Sequence, residues 1–195
     1  MSSPVQSQSP LSMIADAGLP GLLIRELPAR GILNLRGQTE QKVFTEAVSS
    51  MVALELPGPN ASAVNDKLTV LGLAPDEWLL LTAAGDQADL AADLRTAFGS
   101  TFAAVTDVSS GYATLEISGA GARELLARGC SIDLHPRVFG TGRCVQTLLA
   151  KAGVILMYAD DRPVFEVMVR RSLADYLWRW LHDAARDVGF ARAGA

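Results

Sequence analysis

Apolar and polar positions along this chain group into strand pairs followed by helices, and the grouping recurs four times. The first pair, "LLIRELPARGILNLRG", runs from Leu22 to Gly37 and reads as a hairpin turning at Pro28–Gly31. After it, Val43, Phe44, Ala47, Val48 and Met51 recur at helical spacing in "TEQKVFTEAVSSMV", which predicts a helix with one apolar stripe. "LPGPN", Leu56–Asn60, cannot continue it and predicts a loop. The second pair, "KLTVLGLAPDEWLLLTAAG", turns near Ala74–Asp76. Its helix opens at Asp86, whose carboxylate suits an N-cap. Leu90, Leu94, Ala97 and Phe98 share one face, and Gly99 suits a left-handed end.

The third pair lies in "FAAVTDVSSGYATLEISG", where Ala113, Leu115 and Ile117 alternate with polar neighbours as in a half-buried strand. A short helix, "AGARELLARG", follows. Three more strands are predicted around 144–150, 153–158 and 164–170. The first two are apolar on both faces, which predicts central positions in a sheet. The last helix, "SLADYLWRWLHDAARDVG", can be capped by Ser172 and carries a stripe of Leu173, Leu177, Trp180, Leu181, Ala184 and Val188. This order contains β-α-β-β-α-β, the split-βαβ unit of ferredoxin-like folds. The fold class expected is α+β: two such units, about 13–110 and 111–190, with antiparallel sheets backed by helices in a single domain over 13–190. Residues 1–12, rich in Ser, Pro and Gln, are expected to form a flexible tail.

Composition sharpens this picture. Hydrophobic residues make up 49% of the 195 and charged residues only 19%. No run approaches the roughly 18 apolar residues that span a bilayer, so the excess is expected in a large core or a buried interface. A net charge of −4 argues against nucleic acid as partner. With no basic region followed by an apolar one at the start, the two cysteines are expected free, in a reducing compartment.

Candidate chemistry concentrates in "RGCSIDLHPRVFGTGRC", Arg128–Cys144. Cys130, His135 and Cys144, with Asp133 or His182 as a fourth, could in principle hold zinc, but no pair has C-x2-C or H-x3-H spacing. The expectation is no metal: two small buried thiols and a histidine bonded to backbone. Cys130 and His135 could also form a nucleophile–base pair, which would need a third, orienting group. Gly119 and Gly121 do not complete a dinucleotide fingerprint, because Glu124 stands where a third glycine would. Asp16, Asp76, Asp107, Asp160 and Asp161 fit caps and turns.

The aromatic cluster of the last helix cannot face one core. At 100° per residue, Trp178 lies about 160° from Trp180. Tyr176, Trp178 and Arg179 are therefore expected on an outer face. Trp, Tyr and Arg are enriched at protein interfaces, and Arg137, Arg170 and Arg171 join them as candidate interface residues.

The segments "RELPARGILNLRG", "LGLAPDEWLLLTAAG", "TDVSSGYATLEISGAGARELLARGCSIDLHPRVFGTGRCVQTLLAKAGVILMY" and "VRRSLADYLWRWLHDAARDVG" closely resemble the gamma-subunit family of heterotetrameric sarcosine oxidases. The resemblance covers about residues 20–190 and is specific in "GC-DLHPR-F-G-C-QTLLAK". It implies a bacterial, cytoplasmic complex of alpha, beta, gamma and delta subunits that demethylates sarcosine to glycine. Oxygen is reduced to hydrogen peroxide and one-carbon units pass to tetrahydrofolate. FAD, covalent FMN and NAD are implied on the alpha and beta chains and zinc on delta, with no cofactor in this chain. The fold implied is that of the aminomethyltransferase folate-binding domain. The catalytic aspartate of those enzymes lies near the first hairpin, where this chain reads "GILNLRGQ", Gly31–Gln38, without an acid. The role implied is a non-catalytic subunit that stabilises the complex. Two alternatives stay open: a free folate-dependent aminomethyltransferase-like enzyme, or a subunit of a related N-methyl amino acid demethylase.

Overall fold

The structure, a computed structural model, describes residues 9–11, 17–19, 21–160 and 164–193. Asp16, Asp161 and most of the Ser/Pro/Gln-rich segment lie outside them. The elements in chain order are β1 (Ala17–Leu19), β2 (Leu22–Glu26), β3 (Gly31–Gly37), α1 (Lys42–Val52), β4 (Ser62–Val64), β5 (Thr69–Ala74), β6 (Glu77–Thr82), α2 (Gln87–Phe98), β7 (Ala103–Asp107), β8 (Tyr112–Ser118), α3 (Ala122–Ala127), β9 (Cys144–Leu149), β10 (Ala152–Asp160), β11 (Val164–Arg170) and α4 (Ala174–Ala193). Two antiparallel sheets result, ordered β1-β2-β8-β11-β10-β9 and β4-β5-β6-β3-β7.

Period-two patterning fixes the layers. In β8, Ala113, Leu115 and Ile117 pack toward α3 and α4, together with Val167 and Val169 of β11 and Val154 and Leu156 of β10. In β3, Leu33 and Leu35 turn toward α1 and α2 and meet Phe44, Val48, Leu94 and Phe98. The opposite faces of the two sheets meet each other through Ile32, Leu71, Leu79, Leu81, Cys144, Ile155, Met157 and Met168. The molecule is thus helices, sheet, sheet, helices, with three apolar layers between them. This accounts for the high apolar fraction.

The first and third predicted hairpins are not hairpins. Strand β2 pairs with β8, placing Ile24 opposite Ile117, while β3 pairs with β6 and β7. The chain crosses between sheets at 27–30 and again at 108–111. Each crossover keeps its strands apart because the flanking residues bury on different layers: Ile24 under α4, Ile32 between the sheets. The two crossovers lie side by side. Ser109 Oγ accepts the Ile32 N–H at 2.8 Å and donates to Asp107 Oδ1 at 2.5 Å.

The exchange hides a repeat. Strands β3-α1-β4-β5-β6-α2-β7 lie in the order β4-β5-β6-β3-β7, and β8-α3-β9-β10-β11-α4 with β2 lie in the corresponding order β9-β10-β11-β8-β2. Each is a split-βαβ unit with one added edge strand. The second unit takes its closing strand from the start of the chain. The sequential boundary expected near residue 110 therefore divides the chain between units only in part.

Other departures are local. Strand β9 is an edge, not a central strand, and its Gln146 and Leu148 are exposed. On α1 the buried residues are Phe44, Val48 and Val52, and Val43 and Met51 face out. Asp86 makes no capping hydrogen bond; the Gly85 N–H is satisfied by Gln87 Oε1 at 2.8 Å instead. Part of the expected tail is packed, with Leu11 buried in the α3–α4 layer and Ser9 Oγ bonded to Glu26.

Candidate functional site

The stretch from Arg128 to Cys144 is a built crossover between α3 and β9. Asp133 Oδ1 accepts the His135 N–H at 2.8 Å, and His135 O accepts the N–H groups of Val138 and Phe139. His135 Nδ1 accepts the Arg137 N–H at 3.2 Å. These bonds set a tight turn that drives Leu134 and Phe139 into the core. Arg123 on α3 fastens it: Nη1 donates to the carbonyls of Leu134 and Phe139. The same guanidinium lies 4.7 Å over the Tyr158 ring and 4.9 Å over that of Phe165. A cation so placed gains from both the carbonyl dipoles and the ring faces.

The candidate metal ligands diverge. Cys130 packs in the helix layer, Cys144 sits between the sheets, His135 is exposed, and His182 lies against the Trp178 ring on α4. Among the described residues no three His, Cys, Asp or Glu side chains come together. Cys144 Sγ lies 3.1 Å from Ala61 O, and burial pushes its thiol up to about 11. A thiol held protonated is neither ligand nor nucleophile near neutral pH. It acts instead as a pin between the sheets, beside the Cys144 N–H to Asn60 O and Ser62 N–H to Gly142 O bonds.

Of the candidate interface residues, Arg137, Arg170, Tyr176 and Arg179 are exposed, and Arg171 is half-buried with a partner of its own. They do not form one patch. Arg137 caps the crossover turn, Tyr176 Oη accepts the Lys151 N–H at the β9–β10 turn, and Arg179 pairs with Asp175 one turn away. Trp178 is a correction. It is 3% exposed and belongs to the core of its own chain. The buried face of α4 is Ala174, Leu177, Trp178, Leu181, Ala185 and Val188, and Leu173 is exposed. Trp180 flanks that face, and it fits only because position 129 is glycine: a Cβ there would stand 2.4 Å from the Trp180 ring.

A cleft opens where the two sheet faces part. One hollow of about 290 Å³ is lined by Asn34, Leu73, Glu77, Thr106, Val108, Tyr112, Gln146 and Arg170. A second, of about 210 Å³, shares Tyr112, Gln146 and Arg170 with it. The Arg170 guanidinium lies 4.5 Å over the Tyr112 ring. Burial raises the Tyr112 phenol above its ordinary value, against the opposing pull of Arg170 and with a small push from Glu77. Glu77 is spent within its own sheet, accepting from Asn34 Nδ2 and Arg36 Nη2, both at 2.8 Å. So a carboxylate does reach the cleft, from β6, but both its oxygens are held. Of this site the sequence pointed only to Arg170. Tyr112, Gln146, Asn34 and Glu77 come from four strands of two sheets, and no spacing along the chain joins them.

The comparisons with known proteins converge. The sarcosine oxidase gamma subunit family matches residues 36–187. The sarcosine oxidase subunit gamma of Corynebacterium sp. (strain P-1) is 32% identical over 188 residues, covering 92% of this chain and 90% of that protein. The subunit gamma of Arthrobacter sp. is 36% identical over 118 residues, 60% of this chain and 57% of that one. Among solved structures, heterotetrameric sarcosine oxidase from Corynebacterium sp. U-96, in complex with pyrrole 2-carboxylate, contains a chain that superimposes with a TM-score of 0.84. It is 28% identical, over 93% of this chain and 96% of that one. Aminomethyltransferase T from Bartonella henselae shares the fold, with a TM-score of 0.60 at 14% identity over 83% of this chain and 45% of that one. The family match over residues 36–187, from β3 into α4, and a relative 32% identical over 92% of this chain lead to one assignment: this chain belongs to the sarcosine oxidase gamma subunit family.

Proposed function

We propose that this chain is a non-catalytic gamma subunit that stabilises a heterotetrameric sarcosine oxidase. The complex demethylates sarcosine oxidatively to glycine, with hydrogen peroxide as the second product and the one-carbon unit passed to tetrahydrofolate. The observation that carries this reading is the near-complete superposition on a chain of such an oxidase, with a TM-score of 0.84. The partners are the alpha, beta and delta subunits, which hold FAD, FMN, NAD, tetrahydrofolate and zinc, and the assembly is cytoplasmic. Arg137, Arg170, Arg171, Tyr176 and Arg179 contribute the polar anchors toward those partners. Strand β3 presents Asn34, not an acid, to the cleft, and the Glu77 carboxylate there is held by Asn34 and Arg36. Among the described residues lining the cleft, Glu77 is the carboxylate, and the hydrogen bonds to both its oxygens speak against folate chemistry in this chain.

Co-expression of the four subunits tests the proposal. The tagged chain should capture the other three, the purified complex should oxidise sarcosine, and the lone chain should do neither that nor bind tetrahydrofolate. Sarcosine turnover by the lone chain supplied with flavin would refute it. Preferential turnover of another N-methyl amino acid by the complex would move the assignment to a related demethylase.

A further inference from the structure

We propose that the groove on the inter-sheet face of β8–β11 seats an acidic, extended segment of a partner subunit, with a carboxylate on Arg170 and an apolar neighbour on Leu148. This rests on the assignment of the chain as a subunit of a larger complex and names where one partner docks.

Four observations carry it. Among the described residues Arg170 has no carboxylate partner; its guanidinium is parked over Tyr112 at the groove end. Gly153 leaves the middle of the groove empty, since a Cβ built there meets nothing within 4 Å. Strand register sets Leu148 opposite Gly153, and Leu148 is 55% exposed at the far side. The groove floor between them is Ile155 and Met168, with Gln146 offering a carboxamide. A segment laid across would thus meet a cation, an apolar shelf and a polar rim, the usual composition of an interface anchor site.

Charge distribution selects the occupant. Residues 31–107 carry ten carboxylates against four cations, whereas residues 108–195 carry nine against eleven. The half of the chain that holds the groove is the basic one, and it attracts acidic chains. At about 210 Å³ the hollow is smaller than the roughly 300–1,000 Å³ of small-molecule pockets, so it would leave much of a small ligand in water. Small-molecule sites enclose most of the ligand surface; a protein segment brings its own cover.

The test is competitive incorporation. The alpha, beta and delta subunits are co-expressed with wild-type and variant gamma chains of distinguishable mass, and the ratio in the purified complex is read by mass spectrometry. Arg170→Glu reverses the charge, and Gly153→Phe fills the groove at a position with room for a side chain. Lys42→Glu, exposed at the start of α1 and outside the candidate interface residues, is the control. Each lone variant is melted beside the wild type. The expected result is exclusion of both groove variants by at least tenfold, equal incorporation of the control, and unchanged melting. Incorporation of both groove variants at parity overturns the proposal while the subunit assignment stands. Absence of the wild-type chain from the complex overturns both. Two further results point to other occupants and also overturn it: a lone-chain dimer abolished by Arg170→Glu, or saturable binding of free glutarate that perturbs Tyr112 absorbance.

Discussion

Arg123 is one guanidinium on which three segments depend: α3, which carries it, the 134–139 turn whose carbonyls it bonds, and β10–β11, whose aromatic rings it covers. Charge-assisted hydrogen bonds and a cation over rings together predict that Arg123→Ala lowers stability by about 3 kcal/mol. Arg123→Lys should recover only part, since lysine keeps the charge and loses the fork. Urea unfolding of the three proteins measures both, and equal stability of alanine and wild type would remove Arg123 from this role. Cys144 gives a second residue-scale expectation. Its folded thiol is raised from 9.0 to about 11, so between those values the folded state holds more protons than the unfolded one. Stability is then complete below about pH 9 and declines as pH rises toward 11. A thiol reagent at pH 8 should label the partly exposed Cys130 well before Cys144, and Cys144→Ser should flatten the alkaline decline. None of Arg123's partners was legible in the sequence. Its position in "AGARELLARG" falls in a short helix, and nothing there shows that a turn eleven residues later folds back over it.

At the scale of elements, α4 shows what periodicity can and cannot decide. Leu177, Leu181 and Val188 are buried as their spacing predicts. Two tryptophans two residues apart bracket that stripe, and the pattern alone does not say which of them faces the core. The choice is made by neighbours far along the chain: the apolar sheet floor beneath Trp178 and the missing side chain at Gly129 beside Trp180. Trp178→Ala should therefore destabilise the isolated chain by about 4 kcal/mol, in the range for a buried aromatic removed from a core. Trp180→Ala, at the flank, should cost less than half as much. Thermal or urea melts of the two variants check the order; a larger loss for Trp180 would restore the stripe drawn from the sequence. Strand identities were mostly readable, because alternation survives in β8 and length in β10. Strand partners were not, because β2 and β3 look like a hairpin and are separated only by which layer each side chain enters.

For the whole molecule, the repeat of two units predicts that chain order is secondary to unit composition. Helix α4 contacts β1, so the N-terminal strands can be moved behind it. A permutant beginning at Gly31 and carrying residues 17–26 after a short Gly/Ser linker at the end of α4 should fold with native circular dichroism and cooperative melting. Simple deletion of residues 1–26 should leave β8 as an open, apolar edge and cause aggregation. A permutant that stays unfolded while the wild type refolds would show that the exchanged order is itself required. The fold class was legible because β-α-β-β-α-β recurs in the pattern. The interlocking was not, since a closing strand borrowed from the other end of the chain leaves no local trace.

That borrowed strand also sets a clock on the ribosome. Ile24 must wait for Ile117, its partner across β2 and β8, and at about 5–20 residues per second the wait is roughly 5–20 s. During that time the whole β3–β7 unit emerges and can close without β2, while "LLI" of β2, with only β1 beside it, keeps its β8 edge open at the N-terminal end. A nascent chain in this interval is open to mispairing with a neighbouring copy, and slow codons between positions 26 and 112 would lengthen the exposure. Soluble yield should therefore depend on translation speed through the middle of the gene, and on N-terminal fusions that shield β2, even when the finished proteins are identical in stability.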